Sequence, residues 1–586
     1  MAFSTMRNWW QRMEWGTGPR RGEPVGGVPL RYFAWVVLAL FLLLFFARCH
    51  EAVTSPLVIQ NDERAHNMPY LSFHHKGVLE GSLIRDYMLA YEPIGHRALY
   101  YLMTFFLSPF VASKVVWIGL YGVVVLYCVK LGRLGGYPEA GAMLGLLFLG
   151  SPMCEALAGG LPRSFALPVV LAFLYYLLAG NDLGALVTLV VGAGFYPPAF
   201  AVCFAGYGLS VLADAARLER SETVRRMWRL GLVAIVCLLV LLPSVVKPDF
   251  VGHVVSLEKA RSMPEFGPKG RWAGHLPFER LDRILVRQIP VAFRAVGRPL
   301  NEGILAFSEA FHPVPLFWVV VSVTSLLAAG AGGAVGRMGL FGAASAVVYV
   351  AAQCLGYRLF HPSRMVIFAW PVLVGTMCCL GIARLPVWRG KPGMVDFRLL
   401  GVFALLLSRM VAYGTGADLT VRDLGCIDCR DRAGLYEFFR GTRKDALIAG
   451  DPYELDNVMS FSARKAYVTY ESAHSLYDRY YAEIKRRFEA LHRGYFATDP
   501  KDLLEFVSSE GIDYLLVNRE HFEYGGALYQ LFEPIDSALR ERLEGVGEGS
   551  FVLSRDLSGA VVFRSGLFLV IDCRRLKGAL EEEKGE

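Results

Sequence analysis

Long apolar runs alternate with polar stretches from residue 32 to about residue 413. Beyond that point the spacing becomes the mixed apolar and charged pattern of a water-soluble domain. A bilayer core is crossed by about 20 apolar helical residues. On that measure the pattern predicts about eleven spans, at 32–49, 111–130, 138–153, 164–180, 183–197, 198–214, 229–246, 314–330, 338–357, 364–383 and 397–413. Segment 96–110, HRALYYLMTFFLSPF, is apolar but short and follows Pro93, with Pro109 near its end, which suits a helix lying in the interface. If it crossed instead, the C-terminus would change sides.

Charge then sets the orientation. Of 586 residues, 54% are hydrophobic and 19% charged, and the mean hydropathy is +0.38. Soluble domains carry about a quarter charged residues, so most of this chain is built for lipid. Lys and Arg collect in cytoplasmic loops. Arg7, Arg12, Arg20, Arg21 and Arg31 precede the first run, which places the N-terminus inside. Alternation then puts Lys130, Arg133, Arg217–Arg229 and Arg384–Arg398 on the same side. The expected organisation is a basic cytoplasmic segment at 1–31, then a mainly α polytopic transmembrane bundle at 32–413. Its large outer loops are 50–110 and 247–313, and a small α/β extracytoplasmic domain occupies 414–586. The expected location is a bacterial inner membrane, crossed many times. The net charge of +7 is accounted for by topology and calls for no nucleic acid.

The spans carry almost no ionisable groups, which counts against ion-coupled transport, because a coupling ion needs ligands near the bilayer midplane. Polar chemistry gathers in the outer loops. The first, from Asn61 to Arg97, holds Asp62, Glu63, His66, His74, His75, Asp86, Glu92 and His96 among aromatics. A second outer turn carries Glu155 and Arg163, a third Tyr196 with two prolines, and a fourth Arg358, His361 and Arg364. Guanidinium groups suit a phosphate, and a carboxylate suits an attacking hydroxyl or amine. Each residue also has a plainer reading. Asn61 and Asp62 would serve as a helix N-cap, arginines at helix ends snorkel, and Tyr196-Pro197-Pro198 makes a rigid turn. His66, His74 and His75 near two acids are candidates for a divalent cation, but their spacing fits no compact zinc motif, and no metal ligand is assigned.

In its organisation the sequence resembles the GT-C superfamily of polytopic glycosyltransferases, which use polyprenyl-phosphate sugar donors. Asp62-Glu63 stands where those enzymes place an acidic residue after the first helix. EPIGHRALYYLMTFFLSPF (92–110), LFLGSP (147–152) and GLPRSFALPVVLAFLYYLL (160–178) are similar to segments of protein-mannosyltransferase-like members. GLPRSF, FYPP (195–198), RLFHPSR (358–364) and DYLLV (513–517) resemble bacterial proteins of the same type. The resemblance implies transfer of a sugar from a lipid-linked donor to an acceptor on the outer face. Asp62 would be the base, with Glu63 the second choice. Arg358, Arg364, His361 and Arg163 would hold the donor phosphate, and Asp86, Glu92, His96 and Tyr196 would lie near the acceptor. The first loop lacks a D-x-D and the second has one acid, Glu155, so dependence on a divalent cation stays open. Two alternatives remain. One is an envelope polysaccharide polymerase or ligase on the same donors; the other is a non-catalytic protein of this shape whose C-terminal domain binds a glycan or a protein partner.

In the tail, Cys426 and Cys429 read as a small disulfide or as two free thiols. Residues 445–450, 465–471 and 512–518 read as strands, 475–496 and 499–511 as helices, and 551–565 as a hairpin.

Overall fold

The computed structural model describes residues 28–149, 153–215, 219–273, 332–359, 361–383, 424–526, 529–547 and 549–583, with isolated positions between them. Among these residues, six helices are long and apolar enough to cross a membrane, or seven if one bent pair counts as a span. They include Pro109–Leu134, Pro197–Ala215, Arg220–Val245 and Gly332–Leu355. Val28–Arg48 forms a further apolar helix of 21 residues. The expected spans 397–413 and almost all of 314–330 lie outside the described residues, as does most of the basic segment 1–31.

Two expected spans differ from the straight, full-length helix. Over 138–153 the helix Pro138–Leu149 gives way to Met153–Gly160 at an angle of 83°. Asp182–Phe195 has 14 residues, about 21 Å at the helical rise, and is short of a bilayer core. Within 96–110 the chain forms the ten-residue helix Ile94–Met103. Tyr101 and Leu102 in its last turn, and Phe105 and Phe106 just beyond it, are exposed, while His96 and Tyr100 are buried.

The C-terminal domain caps the bundle end from which the first loop emerges. Its sheet is built from β3 (Leu447–Gly450), β4 (Lys465–Ala466), β5 (Tyr514–Asn518), β6 (Val561–Ser565) and β7 (Phe568–Asp572), in the order β4-β3-β5-β7-β6. β4, β3 and β5 are parallel, and β7 and β6 close the sheet antiparallel. The predicted strand at 465–471 shortens to two residues. The predicted hairpin moves downstream, because Val552–Ser554 forms a single helical turn and β6 pairs with β7. The helices Asp478–Tyr495 and Pro500–Glu510 follow the predicted pattern, the second capped by Asp499 and closed by the left-handed Gly511.

A two-stranded ribbon fastens cap to bundle. β1 (Val58–Gln60), in the first loop, pairs antiparallel with β2 (Cys426–Asp428), where the domain begins. Cys426 opens β2 and Cys429 follows it, and the two lie in separate cores. Cys426 packs with the bundle and Cys429 with the domain, and both are free thiols. Ile59, Ala65, Met68, Tyr87 and Val251 from the loops complete the domain's core, so cap and loops form one packed body.

Candidate active site

Gln60 ends β1 and organises the next three residues. Its side-chain carbonyl accepts the Asp62 amide at 2.7 Å, and its own amide donates to Glu63 Oε2 at 3.1 Å. The two neighbouring acids therefore face opposite ways. Glu63 turns into the bundle, where the Ser113 hydroxyl donates to it. Burial raises Glu63 to about 7, against the opposing pull of Ser113 and Lys114. Asp62 turns the other way and receives the guanidinium of Arg163. Burial pushes Asp62 up, but Arg163, His66 and Arg364 together hold it below the usual carboxylate range.

Arg163 reaches Asp62 because of the turn before its helix. Gly159 and Gly160 have φ of 80° and 56°, a region that side chains disfavour. A Cβ on Gly160 would lie 2.8 Å from the Ser113 carbonyl and the Tyr100 hydroxyl. Three groups of the first loop donate to this turn: Asn67 Nδ2 to the Gly159 carbonyl (3.1 Å), and His96 Nε2 (2.8 Å) and the Tyr100 hydroxyl (3.1 Å) to that of Gly160. Pro162 then begins the turn Pro162–Phe165 that leads into the helix Ala166–Ala179.

A second charged group lies beside Asp62. His66 Nδ1 bonds Glu92, whose other oxygen is 3.0 Å from His96 Nδ1. Burial acts against both charges. The two histidines nevertheless hold Glu92 at about 2, and Glu92 raises His66 above the ordinary imidazole value. Arg364, half-buried at the start of another helix, faces Asp62, Tyr91 and Tyr196. Aromatic groups form the remaining wall. Trp272, from the second large loop, stacks on His361 at 4.8 Å and meets His474 of the cap edge-on at 5.7 Å. Tyr91 packs on His474 at 5.3 Å. Burial and Arg271 lower His474 to about 3, which keeps its ring neutral.

Of the residues singled out in the sequence, Asp62, Arg163, Arg364, His361, Glu92, His96 and Tyr196 come together here. Three do not. Glu63 lies behind the Asp62 backbone, bonded into the bundle. Arg358 is exposed at the end of its helical turn and takes no part in the interactions around Asp62. Asp86 pairs with its neighbour Arg85 on a half-buried helix face. His66, His74 and His75 do not converge. His74 stacks on exposed Phe105 and His75 is exposed, and among the described residues no group of three or more His, Cys, Asp or Glu could hold a metal ion. Tyr91, Trp272 and His474 also line the site without a signal in the sequence. Two of them reach the site from remote segments, and nothing local marks them.

No protein-family model matches the chain, and comparison with curated proteins gives no match. Among solved structures, the chain is similar to ArnT from Cupriavidus metallidurans bound to undecaprenyl phosphate. Identity is 14%, with 92% of this chain and 98% of that one covered and a TM-score of 0.48. It is also similar to the archaeal oligosaccharyltransferase AglB from Archaeoglobus fulgidus in complex with an inhibitory peptide and a dolichol-phosphate. There the identity is 10%, with 84% of this chain and 70% of that one covered and a TM-score of 0.47. At such identity no residue role is carried over from either protein.

Proposed function

We propose that the chain is a GT-C-type membrane glycosyltransferase, moving a sugar from a polyprenyl-phosphate-linked donor to an acceptor at its capped, outer face. The observation that carries the reading is the setting of Asp62. It is an ionised carboxylate facing Arg163, Arg364 and His66, enclosed by loops and cap at one end of an apolar bundle. An amphiphilic donor would keep its isoprenoid tail among the lipid-facing helices and present its phosphate to Arg364. The acceptor oxygen or nitrogen would attack the anomeric carbon as the bond from that carbon to the phosphate oxygen breaks. The electron pair leaves with the phosphate, whose charge Arg364 offsets, and the acceptor's proton passes to Asp62. A carboxylate held below its usual range is a weak base. It therefore orients the acceptor first and takes the proton late, when attack has made that proton acidic.

The outer placement is supported by charge. Lys130, Arg133, Arg220, Arg225, Arg226 and Arg337 all lie at the uncapped end, the distribution expected of a cytoplasmic side. The test is transfer in membrane vesicles supplied with radiolabelled polyprenyl-phosphate sugars. Label should move from the lipid to an acceptor with wild type and stay on the lipid with Asp62→Asn at equal protein level. Equal transfer by both proteins would end the assignment of Asp62.

A further inference from the structure

A partly open cleft lies between the cap and the first loop, apart from the groups that face Asp62. It is a cavity of about 340 Å³, at the small end of the range for ligand sites. Its position follows from the sheet. β3 is followed by the helix Pro452–Ser462, which leads to β4 on one side, whereas β5 lies on the other side of β3 and continues away from it. The crevice at the carboxyl ends of β3 and β5 is thus a topological switch point, where open α/β sheets take their ligands. Asp451 follows β3 and Asn518 ends β5, and both line the cavity. The backbones approach closely here. A Cβ on Gly450, which has φ of 145°, would lie 2.0 Å from the Leu516 carbonyl.

The lining decides the ligand class. Two arginines face the cavity, and each is already answered by a carboxylate. Arg64 bonds Glu471 at 3.4 Å and Asn457 Oδ1 at 3.0 Å, and Arg432 bonds Glu454. With Asp428, Asp451 and Glu454 also in the wall, no excess positive charge is left for a phosphate or nucleotide. The wall mixes apolar surface from Ile427, Tyr453 and Phe568 with polar side chains, which suits an amphipathic ligand better than a bare hydrocarbon. It is lined by the amides of Asn61, Asn457 and Asn518, by carboxylates, and by the rings of Tyr453 and Phe568; the Asn61 and Asn457 amides are already bonded to Arg64 and to Glu471 or Glu454, so further contacts to them would be shared. Paired donors and acceptors beside aromatic faces match an uncharged polyhydroxylated molecule. Glu454 itself is held in the wall by Arg432, the Tyr436 hydroxyl and Asn457 Nδ2.

We propose that this cavity binds an uncharged saccharide, using the amides and carboxylates between the cap and the first loop as its polar contacts. Binding does not depend on the transferase reading; only the assignment of the saccharide to the acceptor glycan rests on it. Asn61 and Arg64 bracket Asp62 in sequence, so a sugar held here would lie directly behind the residues that carry the Asp62 carboxylate.

The experiment is saturation-transfer NMR on the full chain in lipid nanodiscs. The probes are glucose, galactose, mannose, N-acetylglucosamine and their β1,4-linked disaccharides at millimolar concentration, with UMP and inorganic phosphate alongside. At least one neutral sugar should receive magnetisation. Its affinity should fall about tenfold in Asn518→Ala and in Tyr453→Ala, each with an unchanged melting temperature, and should persist in Asp62→Asn. Silence from every neutral sugar, a response from UMP or phosphate alone, or binding indifferent to both cavity variants would overturn the proposal. Because the readout needs no turnover, sugar binding by a wild-type protein that transfers nothing would count against the transferase reading only.

Discussion

Arg163 places its guanidinium on the carboxylate of Asp62, joining the first loop to the turn that begins a membrane helix. The contact fixes the charge of Asp62 and the spacing of two loops at once. Arg163→Ala should therefore lower the melting temperature modestly, by the equivalent of about 1–2 kcal/mol for a partly exposed pair. It should cost transfer about 100-fold or more. Arg163→Lys should recover most of the stability and little of the activity, because an ammonium lacks the planar fork. Parallel melting and vesicle assays check both expectations.

Glu63 gives a pH-dependent stability that is independent of catalysis. Its folded value of about 7 lies above the ordinary 4.5, so the native state keeps a proton that the unfolded chain releases. Stability is thus drained as pH rises from 4.5 to about 7. Relative to Glu63→Gln, wild type should lose roughly 2–3 kcal/mol between pH 5 and pH 8. Thermal unfolding of the two proteins across that range is the measurement, and a constant difference would contradict the burial of Glu63.

The His66–Glu92 pair has a two-sided profile. Glu92, depressed to about 2, contributes stability that is present above 4.5 and lost as pH falls toward 2. His66, raised above 6.5, contributes stability that is present below 6.5 and lost as pH climbs through its folded value. Both profiles describe one contact. Glu92→Gln should cost about 3 kcal/mol between pH 4.5 and 6.5, and less on either side.

Gly160 tests whether the turn, and not Arg163 alone, sets the site. With φ of 56° and a Cβ position 2.8 Å from two oxygens, Gly160→Ala should destabilise the protein by about 1–3 kcal/mol. Transfer should fall further than Tm alone explains, because Arg163 moves with the turn. Melting and transfer measured on the same preparation separate the two effects.

Much of this site was legible from residue types. Arginines and carboxylates in otherwise apolar surroundings marked Asp62, Arg163, Arg364 and Glu92, since charge at a bundle end needs a partner. The difference between Asp62 and Glu63 was not legible. It depends on Gln60 sending one amide and one side-chain oxygen to successive residues, which no periodicity reveals. The ribbon of β1 and β2 was hidden for a similar reason. Three-residue strands show no alternation, and VIQ and CID are joined only by the tertiary fold. His474 and Trp272 lie far from Asp62 in sequence, and only that ribbon and the packed cap bring them near. In the domain, Asp499 and Gly511 announced their helix, because caps act locally. The hairpin at 551–565 was misplaced, because apolar content does not distinguish the helical turn Val552–Ser554 from a strand.

In the proposed function Asp62 acts in sugar transfer. Its most direct test is mass-spectrometric profiling of envelope glycans in cells lacking the gene, complemented with wild type, Asp62→Asn or Glu63→Gln at equal membrane levels. The prediction is that one glycan disappears on deletion, returns with wild type and with Glu63→Gln, and stays missing with Asp62→Asn. Return of that glycan with Asp62→Asn would contradict the central claim.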